Sequence, residues 1–192
     1  MSFPFFDMGD GYDLVLRDLN TVDALHDRIR RNRPRLRLIE PWAAEETSLD
    51  ADRAHTRAQL EEWMEGRTLP LAIRYLEEPI GAVGLKIDRE MNTATLAYWV
   101  DAAVEGRGAV TRAVSAVVAY GFSTLELARI EIRTSTMNER ARAVAERVGF
   151  TLEGVLRSAA VVGDERQDVA VYGRLAGISA QEEEEQQQQP EE

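Results

Sequence analysis

The sequence predicts an α/β domain, α+β in some schemes: a central mixed, mainly antiparallel sheet of about seven strands flanked by helices. Three observations point there. Runs of strand length, alternating or mostly apolar, recur along the chain and are separated by turn residues. Helix-length runs lie between them, several with a recognisable cap or stop. One strand-like run, 94–101, leads through the turn Glu105-Gly106-Arg107-Gly108 straight into a helix-like run. With 192 residues the chain suits one domain with a substantial core. That domain is expected over 1–179. The Glu/Gln-rich stretch 180–192 has little to bury and is expected to be a disordered tail.

The elements follow in order. A first strand is expected over 12–18. Asn20 or Thr21 then caps a helix to about residue 31, with Asp23 in its first turn. Pro34 is expected to break it, within a cluster formed by Arg28, Arg30, Arg31, Arg33, Arg35 and Arg37. The cluster reads as a solvated helix end, with a phosphate or RNA contact as the sharper alternative. A second helix spans 49–65. Ala54, Ala58, Leu60, Trp63 and Met64 are its apolar face, and Gly66 stops it. Strands at 69–76 and 81–89 are joined across Glu77-Glu78-Pro79, and the strand at 94–101 pairs next. A helix at 109–125 follows the glycine turn. A strand at 129–135 alternates apolar and polar residues. A helix at 138–148 starts on Asn138 and stops at Gly149. Strands at 152–162 and 169–175 form a hairpin turning at Gly163-Asp164.

Composition narrows the chemistry. No apolar run reaches the length of a membrane span, and the first residues lack the basic and apolar regions of a secretory signal. Zero cysteines exclude disulfides, thiolate metal sites and a cysteine nucleophile, which suits a cytoplasmic protein. His26 and His55 are the only histidines, so no metal site is expected. The net charge is −11, but six glutamates of the last twelve residues carry over half of it. The acidic body disfavours general nucleic-acid binding, leaves tRNA open, and suits a cationic amine.

A glycine turn between strand and helix leaves backbone N–H groups free at a positive helix end, a geometry that can hold a pyrophosphate. An empty tight turn is the plainer alternative. The turn is neither a Walker A loop nor a three-glycine dinucleotide fingerprint.

The residues Tyr98-Trp99, Glu105-Gly106-Arg107-Gly108, Ile130-Glu131-Ile132-Arg133, Asn138, Glu146-Arg147 and Gly149-Phe150-Thr151-Leu152-Glu153-Gly154 form a further pattern, with Glu40-Pro41-Trp42 upstream. Together they resemble the GNAT acyltransferase superfamily. The likeness is to its RimJ/RimL-type N-acetyltransferases and covers residues 12–175.

The resemblance implies an N-acyltransferase moving acetyl from acetyl-CoA to a primary amine: a protein N-terminus, an amino-acid conjugate or a small-molecule antibiotic. It implies that Gly106, Arg107, Gly108, Ala109, Val110 and Thr111 hold the coenzyme pyrophosphate. Trp99, Val100 and Asp101 would bond the pantetheine amides. Asn138 would flank that arm or simply cap its helix. Arg107, Arg112 and Arg142 would reach phosphates, while Trp42 and Tyr98 would flank the acceptor. A homodimer is compatible with it.

Departures from the family pattern matter as well. Glu105 puts a carboxylate beside the pyrophosphate, which is repulsive unless it points away. The positions that usually carry acid/base groups hold Thr95, Ala141, Ala145 and Ala160. Proton transfer is therefore expected to fall to the substrate amine or to a non-standard base, with Asp168 as the candidate beside its alternative role as a hairpin hydrogen bonder. Loss of acetyl transfer would leave a coenzyme- or partner-binding module, and an unusual donor such as aminoacyl-tRNA is a further variant.

Overall fold

The computed structural model describes residues 5–177, so the tail expected over 180–192 lies outside the described residues. Eight strands form one sheet in the order β1-β2-β3-β4-β5-β6-β8-β7. They are β1 (Phe6–Gly9), β2 (Tyr12–Leu16), β3 (Thr68–Tyr75), β4 (Glu78–Asp88), β5 (Thr93–Val100), β6 (Arg129–Ser135), β7 (Thr151–Val162) and β8 (Glu165–Leu175). Every neighbouring pair is antiparallel except β5 and β6. The helices are α1 (Val22–Leu36), α2 (Leu49–Met64), α3 (Ala109–Ser123) and α4 (Glu139–Arg147), with a 3-10 turn at Pro41–Ala43.

The main core lies on the sheet face covered by α3. Leu14, Leu71, Leu85, Leu96 and Ile130 meet Ala113, Val114 and Val117 there, all nearly or fully buried. Gly121 lets α3 approach closely, since a Cβ would sit 2.8 Å from Ile130 Cδ1. The opposite face, under α1 and α2, has only a small cluster of Val15, Leu25 and Ala72 against Trp99. That asymmetry decides where the site can be.

Asn138 caps α4 as its residue type predicts, its side-chain oxygen accepting from Ala141 N–H at 3.2 Å. Gly149, at φ +77°, ends α4 with paired bonds from Gly149 N to Glu146 O and Phe150 N to Ala145 O.

Three expectations need correction. The strand β1 was not expected, and it brings the sheet to eight. It forms because Phe5 and Phe6 pack edge-on against Tyr120 of α3, with centroids 5.4 and 5.3 Å away. Pro34 does not end α1, which runs on to Leu36. So near the terminus, proline forfeits only the bond to the Arg30 carbonyl, and Arg37 N–H still reaches Arg33 O at 3.0 Å. Finally, α2 is turned the other way round. Its inward positions are Asp52 and Thr56, while Ala54, Ala58, Trp63 and Met64 face solvent and Leu60 is half-buried. Among the described residues no helix is long and apolar enough to cross a membrane.

Candidate active site

The parallel pair β5/β6 is joined only at Thr93↔Arg129, Ala94↔Ile130 and Thr95↔Glu131. Beyond Thr95 the two strands part. Asp101 N–H bonds to Ile80 O of β4 at 2.8 Å. By the alternation of an antiparallel ladder, the Val100 N–H then points away from β4 and into the gap. Gly81 makes this close pairing possible: a Cβ there would lie 2.3 Å from Trp99 O.

At the open end of the gap sits the glycine turn. Gly106 and Gly108 hold φ +75° and +78°, and a Cβ on either would meet nothing within 4 Å. The first helical bond of α3 runs from Arg112 N to Gly108 O at 3.0 Å. Among the described residues, the N–H groups of Gly106, Arg107, Gly108, Ala109, Val110 and Thr111 have no intramolecular acceptor. Six free donors at a positive helix end, with open space above two glycines, fit a diphosphate.

Charged side chains around the turn have separate duties. Glu105 does not face the turn as a bare carboxylate, because Arg35 and Arg140 both pair with it. Arg35 also donates to Val100 O at 3.0 Å, tying α1 to the end of β5. Arg107 is exposed and free to meet an anion. Arg147 reaches Thr111 Oγ1 at 3.3 Å.

Two expected phosphate ligands are committed elsewhere. Arg112 binds Met8 O and the Asp10 carboxylate at 3.1 and 2.7 Å. Arg142 donates to the Tyr172 hydroxyl at 3.1 Å, which raises the Arg142 pKa, and also bonds Thr136 O. The carboxylate of Asp101 turns to α1 as well, accepting from Arg28 at 2.7 Å and Asn32 at 3.0 Å. Of the arginine cluster expected to be solvated, Arg28, Arg33 and Arg35 are therefore structural, Arg33 donating to Ala44 O at 2.9 Å.

Behind the gap, between the sheet and the α1/α2 layer, lies a cavity of 930 Å³. Tyr98, Trp99 and Trp42 line its end nearest the gap, with Thr95 and Ala141. The rings of Trp42 and Trp99 are 6.4 Å apart. Tyr98 donates to Ala141 O at 2.9 Å, tying β5 to α4 across the gap. Burial, with the nearby Glu40 charge, pushes this phenol well above the ordinary tyrosine range, so it stays protonated. Ala145 is wholly buried in the core, and Ala160 lies on β7 opposite Gln167. Neither reaches the cavity. Nor does Asp168: its Oδ1 accepts from Ser158 N–H at 2.8 Å, holding an irregular stretch of β7 where Ser158 adopts φ +52°. The position suggested for a base is thus occupied by hairpin geometry.

Sequence reasoning missed Glu40. It lines the cavity beside Trp42, whose Nε1 donates to Glu40 Oε2 at 3.0 Å. Burial raises its carboxyl to about 7, against the opposite pull of the tryptophan bond. The available signal was the Glu-Pro-Trp spacing itself: the 3-10 turn at Pro41–Ala43 folds the indole back onto the carboxylate.

The chain and its fold resemble known proteins. The chain aligns with the ribosomal-protein-serine acetyltransferase of Escherichia coli at 28% identity, over 81% of this chain and 88% of that one. It aligns with YdaF of Bacillus subtilis, named for ribosomal N-acetyl transfer, at 36% identity over 46% of this chain and 49% of the relative, about half its length. Among solved structures, a RimL ribosomal-protein acetyltransferase bound to coenzyme A superposes with a TM-score of 0.85 over 88% of this chain and 97% of that one, at 24% identity. The microcin C7 self-immunity acetyltransferase MccE, solved with acetyl-CoA and AMP, gives 0.81 over 88% and 94% at 27%. Residues 13–151 match the family model of the acetyltransferase (GNAT) domain, and the chain belongs to that family.

Proposed function

We propose that the protein transfers the acetyl group of acetyl-CoA to a primary amine, on a protein N-terminus or a small molecule. The observation that carries this reading is the six-donor glycine turn opening onto a gap between β5 and β6, with a cavity directly behind it. Donor and acceptor would then approach from opposite sides of one sheet. The activities named for the Escherichia coli relative and for MccE support it.

Acetyl-CoA would supply an acetyl thioester to the gap. The chain's own residues do the rest. Amides from Gly106 to Thr111 bind the diphosphate, with Arg107 adding charge. The Val100 N–H offers a donor in the gap where negative charge grows. Glu40, ionised near neutral pH and close to Tyr98, takes the proton that an ammonium must lose before it can react. In the net reaction acetyl replaces one N–H hydrogen, and sulfur leaves as the thiol. Holding both partners in place supplies several kcal/mol, roughly 7 or more where alignment is good.

The test is thiol release with acetyl-CoA against N-terminal peptides and small amines. Release in step with an acetylated amine, identified by mass, is expected. Tight acetyl-CoA binding with no transfer to any amine would reduce the domain to a binding module and overturn the reading.

A further inference from the structure

The inward face of α2 is polar. Asp52, His55, Gln59 and Glu62, spaced by three, four and three residues, line the cavity. A helix that covers a hydrophobic core presents the reverse. The sheet beneath contributes small side chains, and they fall in register. Arg17 N–H bonds to Pro70 O at 2.9 Å, Pro70 pairs with Gly84, and Gly84 with Ala97. This row crosses from the end of β2 to β5, three strand spacings or roughly 14 Å. Its β5 end adjoins Tyr98 and the gap. Its other end is Arg17.

Arg17, one of the charges lining the cavity, has no ion pair among the described residues. Burial holds its guanidinium below the ordinary arginine range, and its Nε is fully enclosed with no hydrogen-bond partner. The carboxylate that acts on it, Asp52, is already bound by His26 Nδ1 at 2.8 Å. His55 offers no compensation: burial and Arg17 itself both depress its pKa, favouring the neutral ring. On the same helix, Thr56 Oγ1 and Gln59 Oε1 are also buried without partners. A buried guanidinium nitrogen left without an acceptor is costly. It is sensible where a ligand brings the missing anion.

We infer that this trough seats the acceptor, with its amine at the Glu40 end and an anionic group, carboxylate or phosphate, on Arg17. The inference rests on the acyl-transfer reading only for the direction in which the acceptor lies. Allowing for the reach of the arginine, amine and anion are separated by roughly 7–10 Å, two or three residues of extended peptide. The acceptor class is then a short amine-bearing acid or phosphate, or an N-terminus with an acidic group at that distance.

The test uses matched pairs: di- and tripeptides as free acids and as C-terminal amides, and amines of the same length with and without a phosphate. Binding is measured by calorimetry in the presence of coenzyme A, and turnover by thiol release, for the parent, Arg17→Gln and Arg17→Lys. The anionic member of a carboxylate or phosphate pair should bind at least tenfold tighter, and which pair separates identifies the anion. Arg17→Gln should erase the difference and Arg17→Lys keep part of it, with acetyl-CoA affinity reporting that each variant is folded. No pair separating, or a preference that survives Arg17→Gln, overturns the inference. Anion-dependent binding without turnover would keep it and reject acyl transfer; turnover indifferent to the anion would do the opposite.

Discussion

Gly108→Trp should weaken acetyl-CoA binding by 100-fold or more, about 2.7 kcal/mol, while the domain stays folded. The backbone there has φ +78°, so any side chain is strained by roughly 1–2 kcal/mol. Beyond its neighbours in the chain, nothing lies within 4 Å of the new Cβ, so the side chain starts out into open space. The indole would instead cover the free N–H groups of the turn. Gly163→Trp is the matched control, because Gly163 also has positive φ and open space but sits in the β7–β8 hairpin. Calorimetry that finds the same acetyl-CoA affinity in both variants would remove the turn from the coenzyme site.

Glu40→Gln should lower kcat/KM by about 100-fold above neutral pH, the low end of what a general base contributes. With Glu40 present, the rate should rise along a limb near pH 7 that stays fixed as acceptor basicity changes, since burial places this carboxyl at about 7. That limb should vanish in the variant. A limb that moves with the acceptor's own pKa would show that the amine loses its proton without Glu40. The same shift has a stability signature. The native carboxyl, raised from the usual 4.5 to about 7, keeps a proton that the unfolded chain has lost. Its contribution therefore disfavours the fold progressively as pH rises from about 4.5 to 7. Glu40→Gln should flatten that part of the stability profile, as read by denaturant midpoints.

Local rules made part of this legible. The glycine turn, the Asn138 cap and the Gly149 stop are fixed by dihedral preference and by hydrogen bonds spanning a few residues, and all appear where the sequence puts them. What was misread depends on distant partners. β1 is recruited by Tyr120, more than a hundred residues away. The repulsion expected at Glu105 is relieved by Arg35, 70 residues upstream. Arg142 bonds to Tyr172, a contact that no spacing reveals, whereas Asp168 makes the hairpin hydrogen bond that was its alternative reading. Glu40 lay within a quoted motif, yet its proton affinity comes from burial, which sequence alone does not show.

The polar inner face of α2 also has a dynamic consequence. Segments open independently when little apolar surface holds them down. Only Asp52 and Thr56 of α2 are buried, and the apolar cluster on this side of the sheet is small. Amide hydrogens of α2 should therefore exchange well before those of β3 and β4, and slow selectively once an acceptor fills the trough. Uniform exchange across helix and sheet would contradict this. Earlier exchange in α2 than in the sheet would mean a rigid half beside the glycine turn and a pliant wall that takes its final form around the acceptor.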